Sequence, residues 1–221
     1  MAKTRQFDND LYYHIYNRGV DKRKIFLDSY DYGRFIESLR MFNQVNPVGS
    51  LYHAKKQRGF GAGFGNLSKV SETFHPKLVS IIAYCVNPNH FHLLVKQQTD
   101  NGIAQYMKRV GIGYANYFNE KYKHSGYVWQ STYKAKEISS TYGLLKVSIY
   151  VNANAEIHGI ARKEQWPWSS FPEYAFGQRG ICGIAPVYNE INQTAYLQLA
   201  EDLIPDIKRI KHEVLEKSGL E

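Results

Sequence analysis

Two histidines, His90 and His92, flank one apolar residue in the segment of residues 87–95. Leu93, Leu94 and Val95 follow them, and this apolar run predicts a β-strand. Alternate side chains of a strand leave the same face, so the two imidazoles point together and Phe91 points away. Two imidazoles on one rigid surface could hold a divalent metal ion. A strand histidine is more often a half-buried side chain with hydrogen-bonded ring nitrogens, so the pair alone leaves both interpretations open.

A second group of polar side chains lies on a predicted helix, from about residue 142 to residue 157, which Gly159 ends. Tyr150 and Asn154 are four residues apart and therefore share one stripe of this helix, and Lys146 lies one turn earlier. They border the apolar face, where a side chain can reach the edge of a sheet. An interfacial tyrosine with a polar neighbour gives the same pattern.

The elements that must position these groups can be read from periodicity and turn residues. Strands are predicted at about residues 11–16, 78–86, 90–96 and 127–138, and two helices at about residues 28–42 and 101–121. With the helix that carries Tyr150, the order is strand, helix, strand, strand, helix, strand, helix. This order predicts an α+β fold, with a ferredoxin-like antiparallel sheet and helices on one face.

The rest of the chain is expected to support this core. Residues 166–171 form an aromatic segment that should pack on the core as a strap, and residues 194–220 show two short helical patterns separated by Pro205. We expect a C-terminal helical tail, whose docking on the core and contact with a second copy are both open. The chain then divides into a core domain at about residues 8–160 and an extension at 161–221.

An insertion at about residues 45–76 contains a glycine-rich sequence at residues 57–66. It lacks the Lys-Ser/Thr ending of a nucleotide-binding P-loop and does not connect a strand to a helix, so that motif is rejected. A basic loop with exposed aromatic residues is the plain interpretation, and contact with a nucleic-acid strand is the alternative.

Composition favours one class of partner. The chain of 221 residues carries 28 Lys and Arg against 20 Asp and Glu, a net charge of +8, and 18 tyrosines. Such a surface suits the neutralisation of phosphates and the stacking of bases, although many proteins are basic for solubility alone. Two cysteines are too few for a disulfide framework. Without a long apolar run or an apolar N-terminal signal region, we expect a cytoplasmic protein that does not bind membranes.

Four motifs, taken in order, resemble those of the single-tyrosine HUH transposases, most closely the branch of REP-associated tyrosine transposases. The motifs are YHIYNRG at residues 13–19, NPNHFHLLV at 87–95, GYVWQ at 126–130 followed by Tyr133-Lys134, and YVNAN at 150–154. The sequence WPWSS at residues 166–170 is also similar to one found after the catalytic helix in that branch. The resemblance covers roughly residues 12–174, and its motifs are specific as an ordered set.

The resemblance implies a transposase-type endonuclease that cleaves and rejoins single-stranded, hairpin-containing DNA through a covalent phosphotyrosine intermediate. Tyr150 would be the nucleophile, and His90, His92 and Asn154 would hold Mg²⁺ or Mn²⁺. Residues 8–160 would be the HUH transposase domain. Two neutral imidazoles and an amide add no negative charge, so a bound cation would keep its full attraction for the scissile phosphate.

Four basic residues are expected to contact DNA, although a solvated side chain is the default for each lysine: Arg18, Lys134, Lys136 and Lys146. Two other functions remain open. A non-catalytic DNA- or RNA-binding regulator would share the basic surface but would not need a nucleophile and three ligands together. A hydrolase that uses an activated water would leave no protein–DNA adduct. The sequence does not decide between a monomer and a homodimer.

Overall fold

The computed structural model describes residues 6–46 and 76–217, which form four strands and seven α-helices. The strands are β1 (Tyr12–Arg18), β2 (Val79–Asn87), β3 (His90–Gln97) and β4 (Lys134–Ile138). The helices are α1 (Ser29–Met41), α2 (Gly102–Tyr122), α3 (Thr141–Asn152), α4 (Asn154–Ile157), α5 (Phe171–Phe176), α6 (Ala185–Tyr188) and α7 (Gln193–Lys217). The glycine-rich sequence at residues 57–66 lies outside the described residues.

The four strands form one antiparallel sheet in the order β2-β3-β1-β4. α1 connects β1 to β2, a tight turn connects β2 to β3, and α2 connects β3 to β4. This is the βαββαβ order of ferredoxin-like folds. The predicted α+β class and the predicted order of elements are both confirmed.

Side-chain alternation along the strands gives the sheet two different faces. One face carries Ile15 and Leu93, which are fully buried against α1 and α2. The other carries Leu94, which packs in a second apolar cluster with residues of α3 and α7. α1 and α2 thus form the helix layer expected on one face, and α3 with α7 covers part of the opposite face.

The start of α1 is held by a reciprocal cap between Asp28 and Asp31. The Asp28 side chain accepts a hydrogen bond from the Asp31 N–H at 3.0 Å, and Asp31 accepts one from the Asp28 N–H at 3.3 Å. Lys121 of α2 lies 2.7 Å from a carboxylate oxygen of each aspartate. Because Asp31 is fully buried, this ammonium also supplies the charge partner that a buried carboxylate needs.

β4 is shorter than predicted. It begins at Lys134 and not near residue 127, and residues 127–133 are irregular apart from a bridge between Gly19 and Trp129. The Trp129 ring packs on Phe91 in the α1–α2 core, and its Nε1–H donates to the Gly111 carbonyl at 3.0 Å. Burial of this large ring therefore determines the backbone path of residues 127–133, which do not continue the pairing of β4.

The C-terminal tail is one helix and not two. α7 continues through Pro205, although a proline removes one helical N–H. The buried stripe Tyr196, Ala200 and Ile204 keeps helical spacing up to the proline, and Ile207 packs on the same cluster beyond it. Tertiary packing therefore holds the helix across the interruption. Neither α7 nor any other helix in the described ranges has the length and hydrophobicity to span a bilayer.

The aromatic segment expected to act as a strap lies along the outer edge of β2. The Val86 N–H donates to the Trp168 carbonyl at 2.9 Å, and the indole N–H of Trp166 donates to the Val86 carbonyl at 3.0 Å. Ser169 forms a bridge with Cys85. The strap therefore satisfies backbone groups that a bare edge strand would leave open.

A buried hydrogen-bond network joins α3, α7 and the strap. The Asn152 amide and the Ser148 hydroxyl contact the Tyr196 hydroxyl at 2.9 and 3.2 Å. The Ser170 hydroxyl donates to the Asn152 carboxamide oxygen at 2.5 Å. All four side chains are buried. The network therefore holds α3, which carries Tyr150, against the C-terminal extension.

Tyr196→Phe is expected to lower the free energy of unfolding by about 1–3 kcal/mol, because the buried Asn152 amide loses its acceptor. Urea denaturation monitored by circular dichroism measures the change. Tyr127→Phe is the control, since Tyr127 is 86% exposed, and it should change stability by less than about 0.5 kcal/mol. Equal stability of the two variants would show that the network does not anchor α7.

Candidate metal and nucleophile site

Strand pairing gathers the polar groups on the face of the sheet that α3 crosses. His90 is paired with Arg18 of β1 and Asn87 of β2, while His92 is paired with Tyr16 and Cys85. Residues paired directly across strands project from the same face. The His90 and His92 rings lie 5.2 Å apart, centroid to centroid. Phe91 between them is 2% exposed and belongs to the opposite core.

The helix that carries Tyr150 is interrupted at Ala153, so the predicted continuous helix is in fact α3 followed by α4. The asparagines on either side of the break, Asn152 and Asn154, are both buried and bonded to side chains outside the helix. Asparagine side chains that take such partners weaken regular helix. The Ala153 N–H still donates to the Ile149 carbonyl at 2.9 Å, so the chain keeps its direction.

Tyr150, Asn154 and the two histidines meet despite this break. The Tyr150 ring stands edge-on to the His92 ring, with centroids 5.4 Å apart and an interplanar angle of 87°. The Nε2 atom of His90 lies 3.1 Å from the Asn154 carboxamide oxygen. The structure therefore brings together all four residues that the sequence singled out for metal binding and nucleophilic attack.

The partners of His90 define its tautomer. Its Nε2 lies 2.9 Å from the Asn87 Nδ2, which can only donate, so Nε2 is the acceptor. Its Nδ1 lies 2.6 Å from the Asn89 carboxamide oxygen and therefore carries the proton. Burial lowers the His90 pKa to about 4, against a smaller raising effect of Asn154. The neutral ring has its one lone pair on Nε2, where it accepts from Asn87 beside the Asn154 oxygen, and neutral imidazole is the form that binds metals.

His92 is fixed by a third histidine that the sequence did not identify. The His92 Nδ1 lies 2.8 Å from the Nε2 of His14, and the two rings stack. Burial, followed by the neighbouring imidazoles, lowers the pKa of His92 well below its ordinary value. Burial and then Lys136 lower the pKa of His14 to about 4. All three rings are therefore neutral at neutral pH, and each carries one nitrogen lone pair.

Tyr150 lies half-buried between the histidines, with its ring 5.6 Å from that of His14. Burial raises the pKa of its phenol, and the neighbouring Tyr16 adds to this effect. The Asn154 carboxamide lowers that pKa, although it does not reach the phenol in a hydrogen bond of normal geometry. The phenol is therefore protonated at neutral pH in the protein alone.

Two imidazoles and one carboxamide could together hold a divalent cation. In residues 6–46 and 76–217 no three His, Cys, Asp or Glu side chains are grouped for metal binding, so a cation here would need the Asn154 amide as well as the imidazoles. The 3.1 Å between His90 Nε2 and Asn154 Oδ1 is close to the roughly 3 Å between adjacent ligands of an octahedral ion with bonds of about 2.1 Å. The buried Nδ2 of Asn154 has no hydrogen-bond partner in the described part of the chain.

Three of the four predicted basic residues share the face of the histidines. Arg18 is exposed beside His90 and donates from Nε to Gln130. Lys134 is paired with Tyr16, and its ammonium lies 6.0 Å from the centre of that ring. Lys136, also exposed, is paired with His14. Together they border the histidines with positive charge.

The fourth, Lys146, lies one turn before Tyr150 on α3, but its ammonium is directed to the Tyr142 ring, 5.1 Å from the ring centre. Tyr142 is 58% exposed. The structure therefore places this pair on the outer part of the helix and not with the histidines.

Four residues around the site were missed from the sequence: His14, Asn87, Asn89 and His158, whose ring centroid lies 4.6 Å from that of His90. His14, Tyr16 and Arg18 alternate along β1, so strand geometry places their side chains on the same face of the sheet. The missing information was which strand pairs with β3, because that pairing is non-local. Asn87 and Asn89 flank Pro88 in a pattern typical of a turn, which by itself indicates no role for their side chains.

Comparison with known proteins finds a family match to the part of the chain that contains the site. Residues 67–154 match a family described as "Transposase IS200 like", and this segment contains His90, His92, Tyr150 and Asn154. The fold matches a solved structure entitled "Structure of the REP associates tyrosine transposase bound to a REP hairpin". That match has a TM-score of 0.51 and 16% identity, and covers 82% of this chain and 90% of that chain.

A putative transposase from Deinococcus radiodurans R1 also matches, with a TM-score of 0.38 and 16% identity over 73% of this chain and 99% of that chain. No curated protein matches the chain significantly. Residues 67–154 are thus similar to the IS200-like transposases, which agrees with the resemblance shown by the motifs, and the chain shares its fold with a REP-associated tyrosine transposase.

Proposed function

We propose that this protein is an endonuclease and strand transferase that cleaves and rejoins single-stranded, hairpin-containing DNA through a phosphotyrosine intermediate on Tyr150. The observation that carries the proposal is the meeting of Tyr150 with His90, His92 and Asn154 on one sheet face, inside the segment that matches the transposase family. The solved REP-associated relative is bound to a REP hairpin, which supports hairpin DNA as the substrate class here.

The proposed step exchanges one phosphodiester for another. Tyr150 loses its phenolic proton, and its oxygen bonds to the scissile phosphorus. The bond from phosphorus to the oxygen of the leaving strand breaks, and that oxygen takes up a proton. Because the energy of the broken bond is kept in the phosphotyrosine, the reverse reaction with another strand end rejoins DNA without an external energy source.

His90, His92 and Asn154 are proposed to hold Mg²⁺ or Mn²⁺. The bound cation would polarise the scissile phosphate and offset the charge that develops on it. The side chains that hold it are neutral, because burial keeps both imidazoles unprotonated. The second ring nitrogens, bonded to Asn89 and His14, orient the imidazoles so that the other nitrogens face the site.

Arg18, Lys134 and Lys136 are proposed to bind the DNA backbone next to the cleavage site. They are exposed, they border the histidines, and no acidic side chain stands between them and His14 or His90 in the strand pairing of the described residues. Tyr16 lies half-buried on the same face and offers an aromatic surface beside these cations. This combination suits a single strand with its phosphates and unpaired bases.

Tyr150→Phe is expected to abolish the covalent protein–DNA adduct, since the variant keeps the ring and loses the nucleophilic oxygen. The assay incubates labelled hairpin DNA with Mn²⁺ and separates adducts on a denaturing gel. Tyr142→Phe, two turns earlier on the same helix, is the matched control and should retain the adduct. A Tyr150→Phe protein that still forms the adduct would exclude Tyr150 as the nucleophile, and turnover without any adduct would indicate hydrolysis by water.

Replacing His90 or His92 by Ala is expected to reduce cleavage by on the order of 100-fold or more and to weaken Mn²⁺ binding, because each substitution removes a proposed ligand. Cleavage rates and calorimetric Mn²⁺ titrations measure both effects. His124→Ala is the control, because His124 follows α2 and contacts Asn119 away from the site. Full activity of either site variant, or of the wild type in excess chelator, would contradict the metal role.

Lys134→Ala and Lys136→Ala are each expected to weaken DNA binding and to reduce the slope of log affinity against log salt by about 0.7, the value for one lost contact to a single strand. Fluorescence anisotropy of a hairpin oligonucleotide at several salt concentrations, without divalent ions, measures this slope. Lys108→Ala, on the exposed side of α2, should leave the slope unchanged. A change of equal size in Lys108→Ala would show that the contacts are not confined to the histidine face.

A further inference from the structure

Asn87, the last residue of β2, contacts both a proposed metal-binding imidazole and the proposed amide ligand. It is paired with His90 across the hairpin and is fully buried. Its Nδ2 lies 2.7 Å from the Asn154 Oδ1 and 2.9 Å from the His90 Nε2. Its own Oδ1 is 3.6 Å from the Cys85 thiol, a weak donor.

The Asn87 amide uses the same lone pair that a cation would need. A neutral imidazole has one acceptor nitrogen with one in-plane lone pair, and on His90 that atom is Nε2. A cation bound through this atom must therefore displace the Asn87 N–H. The Asn87 side chain has to change its orientation whenever the site is loaded.

The hydrogen bonds of this cluster are poorly matched in geometry. The two N–H bonds of an amide diverge by about 120°. The two acceptors of Asn87 are only 3.1 Å apart, and at 2.7 and 2.9 Å from Nδ2 they subtend a much smaller angle. At least one of the bonds is therefore bent, and among the described residues the neighbouring Asn154 Nδ2 finds no hydrogen-bond partner. Fully buried polar groups are usually better satisfied.

The same three atoms have the spacing of a coordination sphere. His90 Nε2, Asn154 Oδ1 and the Asn87 terminal atom form a triangle with sides of 2.7, 2.9 and 3.1 Å. Adjacent ligands of an octahedral ion with bonds of about 2.1 Å lie roughly 3 Å apart. The triangle therefore matches one face of an octahedron, if Asn87 presents its oxygen in place of its nitrogen.

We propose that Asn87 is a further ligand of the cation and binds it through Oδ1 after its carboxamide turns over. This inference rests on the proposed metal-dependent function. After this rotation of the carboxamide, Nδ2 faces the Cys85 sulfur, which is a weak acceptor. The rotation therefore gives up only the weak hydrogen bond from the Cys85 thiol to Oδ1. A second carboxamide oxygen gives the site two oxygen and two nitrogen donors and shifts its preference towards Mg²⁺ and Mn²⁺. Because the ligand is neutral, the cation keeps its charge for the phosphate.

The test is a calorimetric Mn²⁺ titration of the full chain without DNA, comparing wild type with Asn87→Leu and Asn87→Asp. If Asn87 is a ligand, Asn87→Leu binds Mn²⁺ on the order of 10-fold more weakly, while the carboxylate of Asn87→Asp binds it on the order of 10-fold more tightly. Opposite changes in the two variants support the inference. Tighter Mn²⁺ binding by both variants would show that Asn87 only competes with the ion. Unchanged binding in both variants would show that Asn87 has a structural role. Either result would overturn the inference.

Controls separate this inference from the proposed function. If wild type binds Mn²⁺, His92→Ala weakens the binding and the Asn87 variants match wild type, only the inference fails. If wild type binds no Mn²⁺, the metal centre of the proposed function fails and the inference with it. Thermal unfolding without metal verifies that each variant is folded. Asn87→Ala, which also removes the oxygen and the N–H, replaces Asn87→Leu if the larger side chain prevents folding.

Discussion

The site depends on the register of three neighbouring strands. β3 pairs with β1 and β2 so that His90 meets Arg18 and Asn87, and His92 meets Tyr16. A slip of one residue in β3 would turn both histidines into the α1–α2 core and expose Phe91 on the site face. Phe91, Leu93 and Val95, all at most 2% exposed, oppose such a slip because they would lose their burial. The apolar core on one face thus specifies the polar site on the other.

Burial controls the chemistry of the site by keeping its groups uncharged. His14 and His90 have pKa values near 4, and that of His92 is also lowered, so three imidazoles face one another without repulsion at neutral pH. The Tyr150 phenol is likewise held in its protonated form. A neutral site attracts a DNA phosphate only weakly by itself. The surrounding Arg18, Lys134 and Lys136, together with a bound cation, would therefore have to supply the attraction.

The order of the elements and the main site groups were predictable because their signals are local. Asp28 as a cap, the hairpin around the asparagine-proline turn, and the helical spacing of Tyr150 and Asn154 all depend on residues close in sequence. The start of β4, the continuity of α7 through Pro205 and the partners of His92 depend on contacts between distant segments. No local pattern contains that information.

The break at Ala153 illustrates how the fold and the site are linked. Asn152 is bonded to Tyr196 and Ser170 of the C-terminal extension, whereas Asn154 is bonded to Asn87 and faces His90. A continuous helix would rotate successive residues by a constant angle and could not give both asparagines their buried partners independently.

The extension adds further contacts to this helical region, since Lys208 pairs with Glu156 at 3.0 Å and Lys211 donates to the Ile157 carbonyl at 3.3 Å. The boundary at residue 160 remains a prediction of domain organisation. The contacts nevertheless show that residues beyond it hold the helix that presents the tyrosine. The position of Tyr150 relative to His92 is therefore a property of the core and the extension together.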